Sequence, residues 1–430
     1  MPVYFFQHFF GCDDFVSVQA VRSFSSQLLQ HGYSLLLFCK SRIALDDLHA
    51  ICRRKPIAHL VFLRNVILLK LFLIVVVFVA GCSVPPELVG IDNPDIPAAK
   101  VENAKLKKIF LATTRQATEA VGAFYSDQRA PELGLASVQV SIPPSHVVGE
   151  LERPKRLPPD PRTEFAIIEP TVYATDDAFV ASIDEALAAL PKGDRSILFF
   201  VHGYNNTTSD ALLRLAQFAE DSGFRGVPVL FDWASAASVS RYVYDLNSAL
   251  IARPKIPEIS SILARTKAEQ YDIFAHSMGA FLTMEAIKDS VLAGQFDEAD
   301  RLKSIILASP DIDIDLFRAQ LEQIDGRVER IAVLFSEDDS ALRISRRIAG
   351  GVPRVGASDI DALADLGVVA IDLSEVDNSS SGSHSKFAGS PEIVQLIGSG
   401  LNQNKRFDRF QNKTQLENLI AGLPIKVAFD

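Results

Sequence analysis

No cysteine follows residue 82 in this chain of 430 residues. All four, Cys12, Cys39, Cys52 and Cys82, lie at the front. The main body therefore has neither a disulfide framework nor a cysteine-based zinc site. Cations are also in short supply: 43 Lys and Arg face 53 Asp and Glu, a net charge of −10. Without an excess of basic groups to neutralise phosphates, nucleic acid is not an expected partner. No unit of 20–50 residues repeats, and no G-x-G-x-x-G follows the first strand pattern, so a dinucleotide-binding fold is not supported. What is present is a 48% hydrophobic chain with 22% charged residues, enough to build one large globular domain or two ordinary ones.

The front of the chain reads as a targeting segment. From Val61 it runs VFLRNVILLKLFLIVVVFVAGC, with Arg64 and Lys70 ahead of an apolar run from Leu71 to Ala80. Basic residues, a short apolar stretch and a small-residue site have the shape of a secretory signal. The run is short for a membrane span, which needs roughly 20 residues. VAGC resembles a bacterial lipobox, so residues 61–81 are expected to be a lipoprotein signal peptide and Cys82 the lipidated first residue. Secretory signals start close to the N-terminus. Residues 1–60 are therefore expected to be an upstream extension from a mis-assigned start, with the true start near Val61 or Val66. Residues 82–104 carry Pro85, Pro86, Pro94 and Pro97 and read as a semi-extended tether. From Cys82 onward there are 35 Lys and Arg against 49 Asp and Glu, a net of −14. Such a body is not drawn to anionic headgroups by charge, so the lipid anchor must hold it to the membrane. Ser83, rather than aspartate, follows the cysteine. The expected location is the bacterial cell envelope, on the periplasmic face, at the outer membrane.

From residue 105 to 430 short apolar runs alternate with helical patterns. Runs such as RSILFFVHG (195–203), VPVLFDW (227–233), YDIFAHS (271–277) and RLKSIILASP (301–310) are rich in Ile, Val, Leu and Phe. Strands buried on both faces have that composition, which implies a mostly parallel sheet. Segments 208–223, 240–252, 279–294 and 390–401 have apolar spacing near 3.6, with Ser209 and Gly223 as end signals for the first. The pattern predicts an α/β fold with helices on both faces of the sheet.

YDIFAHSMGAFLTMEAIKD (271–289) puts Ser277 on a tight turn between a buried strand and a helix. That is the setting of a nucleophile elbow, here Ala275-His276-Ser277-Met278-Gly279, with alanine at the usual first glycine. The helix start also supplies N–H groups and a partial positive charge for an oxyanion. A serine needs a base. Beyond Cys82 the histidines are His146, His202, His276 and His384. His276 is adjacent to the serine and its side chain is expected to turn elsewhere. His202 is expected to shape its loop, and His146 comes before the central sheet. His384 lies in a flexible polar loop after the last strand, where a base can reach the serine. The acid should follow a strand between the two. Glu337, Asp338 and Asp339 qualify, with Asp311 as a rival after the preceding strand. The order Ser277, acid, His384 is that of an α/β-hydrolase triad. The oxyanion donors are then the N–H groups of Met278 and Tyr204, with Gly203 allowing close approach.

These residues resemble the α/β-hydrolase superfamily. More narrowly they resemble a bacterial esterase/lipase-like family long carried as a domain of unknown function, often found as lipoproteins. The resemblance covers roughly residues 105–405. It rests on ATTR (112–115), VSIPPSHVVGELERP (140–154), FVHGYNN (200–206), FDWAS (231–235), AHSMG (275–279), ILASPDID (306–313), SEDDSALRIS (336–345) and GSHSKF (382–387). Trp233-Ala234-Ser235 stands where that family usually has W-P-S. The family's S-x-x-D-x-A-L pattern, laid on Ser336 to Leu342, selects Asp339 over Asp338. The resemblance implies an α/β-hydrolase fold. Its implied activity is that of a serine hydrolase acting on a small-molecule or lipid ester through an acyl-enzyme, with no metal or organic cofactor. The competing expectations are an acyltransferase, which shares the acyl-enzyme, and a non-catalytic envelope protein on the same scaffold.

Overall fold

The computed structural model describes residues 91–120, 122–297, 300–324, 330–377, 383–402 and 423–428. The expected extension 1–60, signal 61–81 and Cys82 lie outside the described residues. The described part of the expected tether lies against the body. Asn93 donates to the Pro159 carbonyl at 3.0 Å, and Ala98 is buried beside Ala166 and Ile168.

The body begins with three antiparallel neighbours. These are β1 (Lys105–Ala117), β2 (Tyr125–Ile142) and β3 (Ala166–Tyr173). β3 is an edge strand, and its register against β2 slips where Glu169 takes a positive φ just before Pro170. Helix and strand then alternate. The order is α1 (Asp176–Ala188), β4 (Ser196–Val201), α2 (Thr208–Asp221), β5 (Val227–Asp232), α3 (Tyr242–Ala252), α4 (Lys255–Ala264), β6 (Gln270–His276) and α5 (Met278–Leu292). Next come β7 (Leu302–Ala308), α6 (Ile314–Gln323), β8 (Ile331–Phe335), α7 (Ser340–Ile348), α8 (Ile360–Ala364) and β9 (Val369–Asp372). The chain closes with α9 (Lys386–Gly389), α10 (Pro391–Leu401) and β10 (Lys426–Ala428). One sheet results, in the order β10-β9-β8-β7-β6-β4-β5-β1-β2-β3. From β9 to β1 every neighbouring pair is parallel. Only the outer strands are antiparallel.

Alternation along each central strand explains why both faces are covered. In β4, Ile197, Phe199 and Val201 enter one apolar cluster, with Ala280, Leu282 and Met284 of α5. Leu198 and Phe200 enter the other, with Leu212, Phe218 and Ile393 from α2 and α10. Phe200 stacks on Phe274 of β6 with ring centroids 5.5 Å apart, and Phe218 packs on Phe274 at 4.7 Å. Each such side chain contributes about 1.5–3 kcal/mol by leaving water. A sheet with two buried faces needs strands that are apolar on both sides, and that is the composition of the runs noted above.

Local signals set the helix ends. The sequence points to Ser209 as the start of α2, but the cap is Thr207. Its hydroxyl accepts from the Asp210 N–H at 3.0 Å while Asp210 Oδ2 accepts from the Thr207 N–H at 3.3 Å, a reciprocal capping box. Helices α1, α4, α6, α7, α8 and α9 and strands β3 and β10 do not stand out in the sequence. α1, for instance, buries only Phe179, Ile183 and Leu187, a narrow stripe on an acidic helix. Among the described residues no helix is long and apolar enough to cross a membrane.

Because the central strands are parallel, the loops after β4, β5, β6, β7, β8 and β9 all emerge at one edge. In open α/β sheets that edge is where ligands bind.

Candidate active site

Ser277 sits between β6 and α5 with φ 56° and ψ −124°. A side-chain-bearing residue in this region costs about 1–3 kcal/mol and persists only when its surroundings over-determine it. They do so here through backbone bonds. The Ser277 N–H donates to the Ala308 carbonyl at 2.9 Å, and the Ser277 carbonyl accepts from the Asp311 N–H at 3.1 Å. Two glycines let the turn close. A Cβ on Gly279 would lie 2.3 Å from the His202 carbonyl oxygen, and one on Gly203 would lie 2.8 Å from Ser277 Cβ. Gly203 therefore carries the Tyr204 segment right up to the serine. Met278 opens α5, where the first-turn N–H groups have no intrahelical acceptor.

His384 Nε2 lies 2.9 Å from Ser277 Oγ, and its Nδ1 lies 2.7 Å from Asp339 Oδ2. Asp339 is fully buried. Its other oxygen accepts from the Leu342 N–H at 3.0 Å, so it also caps α7. A carboxylate can only accept. Nδ1 of the neutral ring is thus the donor, Nε2 the acceptor, and the serine hydroxyl donates to it. Burial works against the charged form of His384, but the Asp339 carboxylate, with a smaller contribution from Asp311, outweighs it and raises the imidazole above its ordinary value.

The neighbouring acids do other work. Asp338 Oδ1 meets Lys386 Nζ at 2.9 Å and also accepts from the Ser336 hydroxyl. Asp311 accepts from Ser345 Oγ at 2.5 Å and Tyr242 OH at 3.0 Å, with Arg354 Nε at 3.4 Å. Neither carboxylate is bonded to the His384 ring. Instead Asp311 sits beside the elbow through its backbone and adds negative charge near His384. His202 is buried against Trp233, with ring centroids 5.1 Å apart, and shapes its loop as the sequence suggests. His146 lies apart from these groups, between Glu152 (2.8 Å) and Asp221 (2.7 Å).

Three supports escape a reading from sequence alone. The first is Arg115, at the end of β1. Its Nε meets Asp232 Oδ1 at 2.8 Å, and its other nitrogens donate to the carbonyls of Ser235 (2.7 Å) and Asn206 (2.8 Å). Burial opposes charge on Asp232, but Arg115, His202 and Thr208 together outweigh it and hold the carboxyl at about 2. This pair locks the loops after β4 and β5 together. The second is Lys386, 1% exposed, which bonds Ser336 Oγ (3.0 Å), Asp338 and the Leu373 carbonyl (2.9 Å), so it joins the segment carrying His384 to the acid loop. The third is His276, whose ring turns away from Ser277 Oγ but onto His384: its Nε2 is 3.1 Å from the His384 carbonyl oxygen. The sequence suggests a flexible loop at His384, yet residues 383–385 form a 3-10 turn that leads into α9. The packing of Phe387 between Phe218 and Phe274 explains the order.

Serine hydroxyl, imidazole and carboxylate in one hydrogen-bonded line, beside a helix start, can support nucleophilic attack on a carbonyl carbon. Among the described residues no group of three His, Cys, Asp or Glu is placed to hold a metal ion.

No curated protein matches this chain. Among solved structures it is similar to an esterase of Pyrobaculum calidifontis in a monoclinic form, at 12% identity and TM-score 0.33, covering 69% of this chain and 85% of that one. A second structure, a hyperthermophilic esterase from the same archaeon, matches at 12% identity and TM-score 0.30, covering 53% and 93%. A family model described as an alpha/beta hydrolase of unknown function (DUF900) matches residues 179–400, more than half of the chain. That span holds Ser277, Asp339 and His384, and with the parallel sheet that carries them it identifies the chain as a member of this alpha/beta hydrolase family.

Proposed function

We propose that this protein is a serine hydrolase that cleaves an ester or similar acyl bond through an acyl-enzyme. The observation that carries the reading is the continuous line from Asp339 Oδ2 through His384 to Ser277 Oγ, with spacings of 2.7 and 2.9 Å. In this mechanism Ser277 Oγ attacks the substrate carbonyl carbon as its proton passes to His384 Nε2. The oxyanion is met by the N–H groups of Met278 and Tyr204. The imidazolium, supported by Asp339, returns the proton to the leaving alkoxide and Ser277 is left acylated. Water then attacks the acyl carbon and gives a proton to His384. That proton returns to Ser277 Oγ as the carboxylic acid departs.

The test uses the full-length protein. It should react with a fluorophosphonate and hydrolyse p-nitrophenyl esters in a panel of graded chain length, with both activities lost in Ser277→Ala. Labelling retained in that variant would move the nucleophile to another serine. The panel also reports which acyl length fits.

We further propose that Cys82 is lipidated and that the lipid anchors the enzyme in the cell envelope, at the periplasmic face of the outer membrane. The lipobox-like VAGC ahead of Ser83 supports this. The protein should partition with membranes, and Cys82→Ala should release it or block its processing. A mature N-terminus mapped upstream of Cys82 would overturn this proposal.

A further inference from the structure

We propose that His276 is a positioning residue that ties the segment carrying the base to the nucleophile turn, an inference that rests on the reading of Ser277 and His384 just given. His276 is the last residue of β6, directly before the serine. Its Nε2 lies 3.1 Å from the main-chain oxygen of His384. Its ring packs against the His384 ring at 4.8 Å and the Phe387 ring at 4.9 Å between centroids. On the other side, a Cβ on Gly203 would come within 2.8 Å of His276 Nδ1. One imidazole therefore touches the serine turn, the oxyanion loop and the base segment together.

The chemistry of the contact fixes the proton. A carbonyl oxygen only accepts, so His276 Nε2 must donate and Nδ1 of the neutral ring is bare. Burial, the charge His384 can carry, and the Arg214 guanidinium all keep this ring neutral. That neutrality suits its place. When His384 takes the serine proton it becomes cationic, and a charged neighbour at this distance would oppose the step. A neutral donor holds the backbone of the base without weakening its basicity.

Both ring nitrogens of His384 are committed, one to Ser277 and one to Asp339. They align the ring but do not hold its main chain. Contacts that hold it include Ser383 Oγ with the Ser340 N–H at 3.0 Å, Lys386 with the acid loop, Gln217 Nε2 with the Ala388 carbonyl at 2.7 Å, and the His276 bond. Of these, the His276 bond is the one that reaches the serine turn itself. Losing it leaves the triad intact in composition but frees the base to shift, and a displacement of about 1 Å can cost on the order of 10² in rate.

The test compares full-length His276→Phe, which keeps a ring and removes the donor, with His276→Gln, which keeps an N–H donor. On a short-chain p-nitrophenyl ester, His276→Phe should lower kcat roughly 10- to 100-fold with KM within about twofold, because the residue does not touch substrate. His276→Gln should recover at least several-fold of that loss. Unchanged kcat in folded His276→Phe overturns the inference, as does a rise in KM with kcat intact. If His276→Phe does not fold, His276→Gln is compared with His276→Ala. A several-fold higher kcat in Gln supports the tie, and equal kcat values overturn it. An inactive, unlabelled wild-type protein would instead overturn the serine-hydrolase reading itself.

Discussion

Ser277 and His384 meet at 2.9 Å, but they are brought there by different kinds of structure. The serine rides on a turn held by backbone. Its N–H and carbonyl bond to the strand-end segments next to it, and its strained φ is bracketed by a glycine that lets α5 press on β4. The proposed base rides on a segment held through side-chain contacts to distant parts of the chain: its own Ser383, Lys386 and Phe387 reach Ser340, Asp338 and Phe274, and His276 reaches back to it. Rigidity in the first arm is therefore local and steric. In the second it is assembled from polar contacts, each of which can be removed singly.

The largest effect expected on either arm is from Ser277→Ala, which should lower kcat on the order of 10⁶-fold, as loss of a triad nucleophile does elsewhere, with melting temperature unchanged or raised as the serine hydroxyl is lost. Turnover and thermal melting of one preparation check both halves. Next is Asp339→Asn, expected to cost on the order of 10⁴ in turnover because the imidazole loses its tautomer and its charge partner. The same carboxylate sets the pH dependence. Burial alone would lower the His384 value, but Asp339 raises it above the usual 6.5. Protonated His384 cannot accept the serine proton. Activity should therefore fall as pH drops through that raised value, and the acidic limb of kcat/KM should have its midpoint above 6.5. A limb below 6.5 would contradict the pairing.

The arms themselves are separated by two intermediate changes. Gly279→Ala forces a methyl 2.3 Å from the His202 carbonyl oxygen, so stability and activity should fall together, with a stability loss of about 1–3 kcal/mol or more by denaturant unfolding. Lys386→Met should cost about 10² in kcat through displacement of the base. If both variants lose stability and activity in the same proportion, the contrast between a steric and an assembled arm fails. The smallest effect expected is from Asp338→Asn. That side chain is nearly half exposed and faces Lys386 rather than His384, so activity should stay within about tenfold, roughly 1.4 kcal/mol of barrier. Asp311→Asn runs beside it as a control. A collapse there, with mild losses at both 338 and 339, would make Asp311 the orienting acid.

The same contrast accounts for what was legible in the sequence. The turn that carries Ser277 is a contiguous pattern of strand, small residues and helix, so Ser277, Met278 and Gly279 stand out from AHSMG alone. The parallel core is legible for a similar reason, since strands buried on both faces are apolar at every position. The acid was narrower than its local signal: Glu337, Asp338 and Asp339 are equivalent in composition, and only the pattern of the related family separates them. Lys386, Arg115 and His276 were not legible as supports. Their partners lie 48, 117 and 108 positions away in the chain, and no periodicity encodes such pairs. Strand β3 and helices such as α1 were missed because their buried stripes are short and their outer faces polar or broken.

The break in β3 has a consequence away from catalysis. An outer strand with an unbroken row of free N–H and C=O groups is a template for pairing with another chain. Val172 is largely exposed on this strand, which adds an adhesive apolar side chain. The slip at Glu169 and the missing N–H of Pro170 interrupt that row at its middle. Pro170→Val, which restores an N–H at the rim of the sheet, is therefore expected to raise strand-to-strand self-association at high concentration, read by light scattering.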